Sequence, residues 1–161
     1  MGFALAEACA ERGAEVTLVA GPVSLKTHHP AIKRIDVESA GEMYQAAMTA
    51  FPSSDAAILC AAVADYRPEN ASEQKIKRET EGEMTLHLVP NPDIAASLGA
   101  IKREGQVMVG FALETNDEAT HAEGKLKRKN LDFIVLNSLR DQGAGFRCDT
   151  KRSRLSTMPE E

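Results

Sequence analysis

The chain is poor in the residues that staple, stack or span. Its 3 cysteines, Cys9, Cys60 and Cys148, lie far apart and form no Cys-x-x-Cys pair. An odd, sparse set builds no disulfide framework and fits a reducing compartment. Aromatic side chains are only 4% of the residues, and no aromatic-plus-basic surface motif of a nucleic-acid reader is present. The net charge of −5 also argues against a nucleic-acid scaffold, although a small phosphorylated ligand needs only a local field. The 4 histidines, His28, His29, His87 and His121, are scattered, which speaks against a histidine-built metal site. No apolar run approaches the ~20 residues of a membrane span, and the N-terminus lacks the basic-then-apolar pattern of a secretory signal. The expectation is a cytoplasmic, soluble protein with no membrane and no nucleic-acid partner.

What is present is an ordinary globular balance. The 161 residues are 43% hydrophobic and 27% charged, enough for one domain with a sizeable core. Helix-like and strand-like segments alternate along the chain. Phe3 to Arg12 is an alanine-rich helix closed by Gly13, a favourable helix-ending residue. Glu15 to Ala20 is a short apolar strand, stopped by Gly21-Pro22. Ser39 to Ala50 reads as a helix, and Ala56 to Val63 is almost continuously apolar, as a strand buried on both faces should be. Thr85 to Val89 is a strand, Asp93 to Arg103 a helix, Val107 to Leu113 a strand, Asp117 to Lys129 a helix and Asp132 to Leu136 a strand. This alternation predicts a three-layer α/β, Rossmann-like fold with a mostly parallel sheet.

Between Asp65 and Met84 the periodicity fails, and the stretch is polar and charged. A solvated loop is the usual fate of such a segment, but long loops inside compact α/β domains are uncommon and tend to act as lids. Here it follows the strand expected to be most buried, so a long flap is the expectation. At the start, a helix begins at once, where a Rossmann-like unit has a strand and a glycine-rich turn first. At the end, 151–161 carries no period and is expected to be disordered. The expected organisation is a nucleotide-binding domain over 1–150, lacking its first strand and phosphate loop, followed by that tail.

In open α/β sheets ligands bind beyond the carboxyl ends of the strands, and several segments converge there. The first is Leu59-Cys60-Ala61-Ala62-Val63-Ala64-Asp65-Tyr66. Small residues let a flat ring approach the backbone, and Asp65 is placed to meet a metal ion or a ribose hydroxyl; a turn-capping role for Asp65 is equally open. In Asn91-Pro92-Asp93-Ile94-Ala95 the aspartate reads first as a helix N-cap. Gly110 permits close backbone approach, and Phe111 is assigned to the core before the site. Lys125 and Lys129, spaced i and i+4, share a helix face. There they complement the helix dipole and can also clamp a polyphosphate. Lys75-Ile76-Lys77-Arg78 lies in the long loop; a charge run is ordinarily solvated, but a flap lysine can neutralise a transferring phosphoryl group.

The order of these segments resembles one family. Met1-Gly2-Phe3-Ala4, Val19 to Leu25, Ala61 to Arg67, Lys75-Ile76-Lys77, Asn91 to Ile94, Gly110 to Thr115 and Lys129 to Asp132 look like the bacterial phosphopantothenate–cysteine ligase. That ligase is usually the C-terminal half of a bifunctional coenzyme A biosynthesis protein, and the likeness runs from Met1 to about Thr150. It implies a magnesium-requiring ligase that uses CTP to join L-cysteine to 4'-phosphopantothenate through an acyl-cytidylate, and it implies a homodimer. By motif position Leu59, Cys60 and Ala61 contact the nucleotide through the backbone. Pro92, Asp93, Ile94 and Ala95 line its site, Phe111, Lys125 and Lys129 contact CTP, Asp65 meets nucleotide or metal, and Lys75 is the catalytic flap lysine. Two departures stand out. The family's Ser-Ser-Gly phosphate turn has no counterpart ahead of Met1, and the family's closing strand and helix give way to a polar tail after Thr150. Impaired or absent activity is therefore expected, with no flavin-dependent decarboxylation. The alternative is a non-catalytic nucleotide-binding or dimerisation module. A nicotinamide dehydrogenase has little support, because no G-x-G-x-x-G occurs.

Overall fold

The computed structural model describes residues 1–72, 74–76, 84–114, 124–138 and 153–157. Helix α1 spans Gly2–Glu11 and strand β1 Val16–Ala20. Alanine-rich sequence favours the helix, and Gly13 ends it at φ +91° while its N–H donates to the Ala10 carbonyl at 3.0 Å. Strand β2, Ile32–Asp36, pairs with β1 in parallel, Val16 opposite Ile32. Periodicity misses β2 because its charged residues read as loop. The charges are instead organised: Arg34 lies over the Phe3 ring at 5.3 Å and pairs with Asp36 at 2.6 Å.

Helix α2, Ala40–Ala50, starts at a capping box. The Ser39 hydroxyl accepts from the Glu42 N–H, and the Glu42 carboxylate accepts from the N–H groups of Glu38 and Ser39. Those two backbone donors hold the exposed Glu42 carboxyl below the usual carboxylate range. A 3-10 turn, Phe51–Ser53, leads into β3, Ala56–Leu59. Strand β6, Val107–Glu114, pairs in parallel with β3 on one side and with β7, Phe133–Ser138, on the other. Strand β8, Ser153–Thr157, joins the far side of β7 antiparallel. Two short strands, β4 (Tyr66–Pro68) and β5 (Leu88–Pro90), make a separate antiparallel ribbon. Helix α3 is Ile94–Ile101, and residues 124–128 are helical (α4). The result is the mostly parallel α/β fold that the sequence predicts.

Three expectations change. Strand β3 stops at Leu59, well short of Val63, and it is not buried on both faces: Ala56 is exposed and Ile58 is 41% exposed. Among the described residues β3 has a neighbour on one edge only. Within 151–161, expected to lack structure, 153–157 pairs with β7. The segment 117–123 of the expected Asp117–Lys129 helix, with Lys77 and Arg78, lies outside the described residues.

The core gathers Phe51, Leu98, Met108, Ala112, Leu126, Leu131, Ile134 and Leu136. Its tightest seam is the turn after α4. Asn130 adopts φ +50°, its side-chain amide donates to the Gly99 carbonyl at 2.9 Å, and a Cβ on Gly99 would stand 2.1 Å from the Lys129 carbonyl oxygen. A Cβ on Gly110 would stand 2.7 Å from the Leu131 side chain, so the bare glycine makes room for core packing there. Asp132 closes the seam by accepting from the Met108 N–H at 2.6 Å and from Lys102 Nζ at 2.9 Å.

Asp93 caps α3, accepting from the Ala96 N–H at 3.0 Å, and pairs with Lys129 Nζ at 3.1 Å. Partial burial works to raise its carboxyl pKa. The Ala96 N–H bond and the Lys129 ammonium together outweigh that and hold it below the usual range. A pKa lower in the folded than in the unfolded chain stabilises the fold above the unfolded value, and that stability is lost as pH falls through the folded one. Asp93→Asn should therefore flatten the acid limb of a plot of stability against pH; an unchanged limb would contradict this pairing. Gly99→Ala should cost about 1–3 kcal/mol by overpacking, read as a lower urea midpoint at unchanged slope, and a neutral result would contradict the contact.

Candidate functional site

The carboxyl ends of β3 and β6 point to the same end of the sheet, because the strands are parallel with Leu59 opposite Gly110. Beyond β3 the backbone leaves regular structure at Cys60 and runs irregularly to Asp65. This stretch is tied to the loop before α3. The Asn91 N–H donates to the Asp65 carbonyl at 2.7 Å, and the Asn91 side-chain amide donates to the Ala64 carbonyl at 2.9 Å. Arg67 adds a bond to the Pro90 carbonyl at 2.8 Å. Asn91 thus acts as a staple between the end of β3 and the α3 N-terminus, a role that sequence reasoning assigned to no residue. The signal for it was its place in Asn91-Pro92-Asp93, where proline stops the strand before it and aspartate starts the helix after it.

Through the Asp93–Lys129 pair, α4 and the turn that follows it join the same arrangement. Lys125 and Lys129 are both partly buried, and the Lys129 N–H donates to the Lys125 carbonyl at 3.0 Å, which keeps the two in helical register. The structure therefore links Leu59, Cys60, Ala61, Asp65, Pro92, Asp93, Ile94, Ala95 and Lys129 through contiguous backbone or direct bonds. Phe111, expected in the core first, is half-buried and lies outside the fully buried cluster. It sits one residue past Gly110 on β6, opposite Val135. Lys75 is exposed, and no described contact connects it to this group.

The electrostatics separate the candidates. Burial pushes the Cys60 thiol pKa up, against a smaller opposing pull from the N-terminal ammonium. A thiol kept protonated is a poor nucleophile. Asp93 already engages both carboxylate oxygens, while Asp65 is exposed at the head of β4 with its carbonyl bonded to Asn91. Among the described residues no three His, Cys, Asp or Glu side chains gather to hold a metal. Among the described residues no helix is long and apolar enough to cross a membrane.

With this geometry in view, the likeness to known proteins can be judged. The family described as "DNA/pantothenate metabolism flavoprotein C-terminal domain" matches residues 1–161. A relative called "Cysteine/Cysteine sulfinic acid decarboxylase", from an unknown prokaryotic organism, is 59% identical over 152 residues, covering 94% of the chain and 42% of that protein. The "Coenzyme A biosynthesis bifunctional protein CoaBC" of Vibrio parahaemolyticus is 52% identical over 147 residues, covering 91% of the chain and 37% of its own length. The protein of the same name from Escherichia coli K12 is 46% identical, covering 96% and 38%. The chain thus spans well under half the length of these relatives. Among solved structures, the "C-terminal Domain of Coenzyme A biosynthesis bifunctional protein CoaBC" superposes at a TM-score of 0.78 with 32% identity, covering 98% of the chain and 67% of that one. A Streptococcus pneumoniae flavoprotein at 0.74 and 21% identity shares the fold. The match over its whole length makes the chain a member of the DNA/pantothenate metabolism flavoprotein C-terminal domain family.

Proposed function

We propose that this chain carries the phosphopantothenate–cysteine ligase domain of coenzyme A biosynthesis and works in the cytoplasm, with 1–150 forming the nucleotide-binding ligase unit. The observation that carries the reading is the linkage of the β3 end, the Asn91–Ala95 segment and Lys129 into one neighbourhood at the carboxyl end of a parallel sheet. Relatives whose names specify coenzyme A biosynthesis support it. The relative named as a decarboxylase is matched over only 42% of its length.

The chemistry requires two displacements. The carboxylate of 4'-phosphopantothenate attacks the α-phosphorus of CTP, the bond to the bridging oxygen breaks, and pyrophosphate leaves. The amine of L-cysteine then attacks the acyl carbon of the mixed anhydride, expelling CMP and losing a proton as the amide forms. In this scheme the backbone of Leu59, Cys60 and Ala61 reads the base edge, with Pro92, Ile94, Ala95 and Phe111 as walls. Asp93 holds Lys129, and Lys125 and Lys129 face the triphosphate. Asp65 is the carboxylate that suits magnesium, which when bound neutralises phosphate charge. Lys75 closes over the transferring group and stabilises charge that develops there.

A homodimer belongs to the same proposal. The β4–β5 ribbon presents Tyr66 at 60% exposed and Leu88 at 51%, and Met84 and Leu86 are exposed just ahead of β5. A contiguous apolar ribbon of this kind is a natural surface for a second copy.

The test is CMP release. The segment ahead of the matched stretch in the Escherichia coli relative is fused to Met1, and the product is assayed with CTP, magnesium, phosphopantothenate and cysteine. CMP release that needs both acid and amine is expected, and its absence refutes the assignment. Lys75→Ala should cut turnover about 10²–10³-fold with CTP affinity kept within a few-fold. Unchanged turnover would favour a non-catalytic role for the loop.

A further inference from the structure

The β4–β5 ribbon gains little from its own ladder. Each strand has 3 residues, and a two-stranded ribbon alone is marginal in water. Each strand also contains a proline, Pro68 in β4 and Pro90 in β5, and proline has no N–H to donate. Yet both ends of the ribbon belong to the candidate site. β4 begins directly after Asp65, and β5 ends directly before Asn91, which leads through Pro92 to the Asp93 cap of α3. Whatever closes the foot of this ribbon therefore sets the Ala64–Asp65 backbone against the first turn of α3.

Side chains supply what the ladder lacks. Arg67 stands opposite Val89, while Tyr66 and Pro68 stand opposite Pro90 and Leu88. Alternation along the strands puts Arg67 and Val89 on one face and those four residues on the other. Val89 is the half-buried member of β5, so the Arg67 face is the one turned toward the domain. From there the guanidinium reaches diagonally, as a long side chain can. Its Nη1 donates to the Pro90 carbonyl at 2.8 Å and to the Asn91 Oδ1 at 3.2 Å. The other end of that amide, Nδ2, donates to the Ala64 carbonyl at 2.9 Å, and the Asn91 N–H donates to the Asp65 carbonyl at 2.7 Å. The amide therefore has a donor in front of its oxygen and an acceptor in front of its nitrogen. Turned over, it would set oxygen against oxygen and N–H against N–H.

We propose that Arg67 is a positioning residue: its guanidinium fixes the orientation of the Asn91 amide, and that amide holds the Ala64–Asp65 backbone against the capped end of α3. The consequence for a nucleotide rests on the ligase reading, whereas the locking of the amide does not. In that reading the backbone after β3 and the Pro92–Ala95 segment are two walls of the CTP site, and Arg67 sets their separation without touching the ligand. Its loss then weakens the hold on CTP more than the speed of the chemistry. Arg67 is exposed, and exposed polar contacts add little to global stability. Its effect belongs to local order, which appears in the exchange of neighbouring amides and not in the unfolding midpoint.

The test compares the chain with its Arg67→Met variant, which keeps the apolar stem and removes the donors. Without ligand, hydrogen exchange at the Asn91 N–H should quicken at least about fivefold. The Val107 N–H, bonded to the Asp55 carbonyl on the main sheet, should change little, and the urea midpoint should stay in place. In the fusion used for CMP release, Arg67→Met should raise the KM for CTP about tenfold with kcat kept within about threefold. Asn91→Ala should raise KM at least as much, and the double variant no further than Asn91→Ala alone, because both changes act through one amide. The proposal is overturned by unchanged exchange at Asn91, by a lowered urea midpoint with faster exchange at Val107, or by KM effects that multiply in the double variant. If the unsubstituted fusion releases no CMP, the ligase reading fails, and the exchange at Asn91 alone decides the role of Arg67.

Discussion

The site depends on how closely the turn after α4 is pressed onto α3 and β6. Gly99 lets the Lys129 carbonyl lie against α3, and Gly110 lets Leu131 enter the core beside β6. Asn130 makes the bend with a left-handed backbone and bonds back to Gly99. Asp132 then fixes the start of β7 to Met108 and Lys102. Together they set where α4 ends, and so where Lys129 meets the first turn of α3.

From that constraint the electrostatics follow. Asp93 has two separate duties, since one oxygen caps α3 and the other holds an ammonium from a different element. A lysine on a flexible stem is a poorly directed charge, and pairing of the Lys129 ammonium with Asp93 narrows the region that charge can serve. The N-terminus of α3 is already served by that carboxylate, which accepts from the Ala96 N–H. The Asn91 staple holds the small residues after β3 beside this helix end.

Much of this could be read in the residues beforehand. The apolar runs of β1, β6 and β7 and the cap at Asp93 identify their elements directly, since hydrophobic period and capping chemistry are local properties. Strand β2 was not visible, because Lys33, Arg34 and Asp36 mask a pair of isoleucines, and its charges make sense only once Phe3 and Asp36 are beside them. Strand β8 was not visible for a related reason: its residues are polar, and it exists by pairing with β7. The length of β3 was overestimated, as a run of small apolar residues cannot show that strand geometry ends at Leu59. Gly110 reads as a point of close approach, and the group that a Cβ there would meet is Leu131. Asp93 and Lys129 were each legible as candidates, while their direct pairing belongs to tertiary structure.

The central claim is that the β3 end, the α3 N-terminus and the end of α4 face one ligand. The most direct measurement is a titration of the isotope-labelled chain with CTP and magnesium, following backbone amide shifts. The account predicts saturable shifts at Cys60, Ala61, Ile94, Ala95, Phe111 and Lys129 with one shared affinity, and little change across β2. Shifts confined to other surfaces, or a different affinity for each segment, would contradict it.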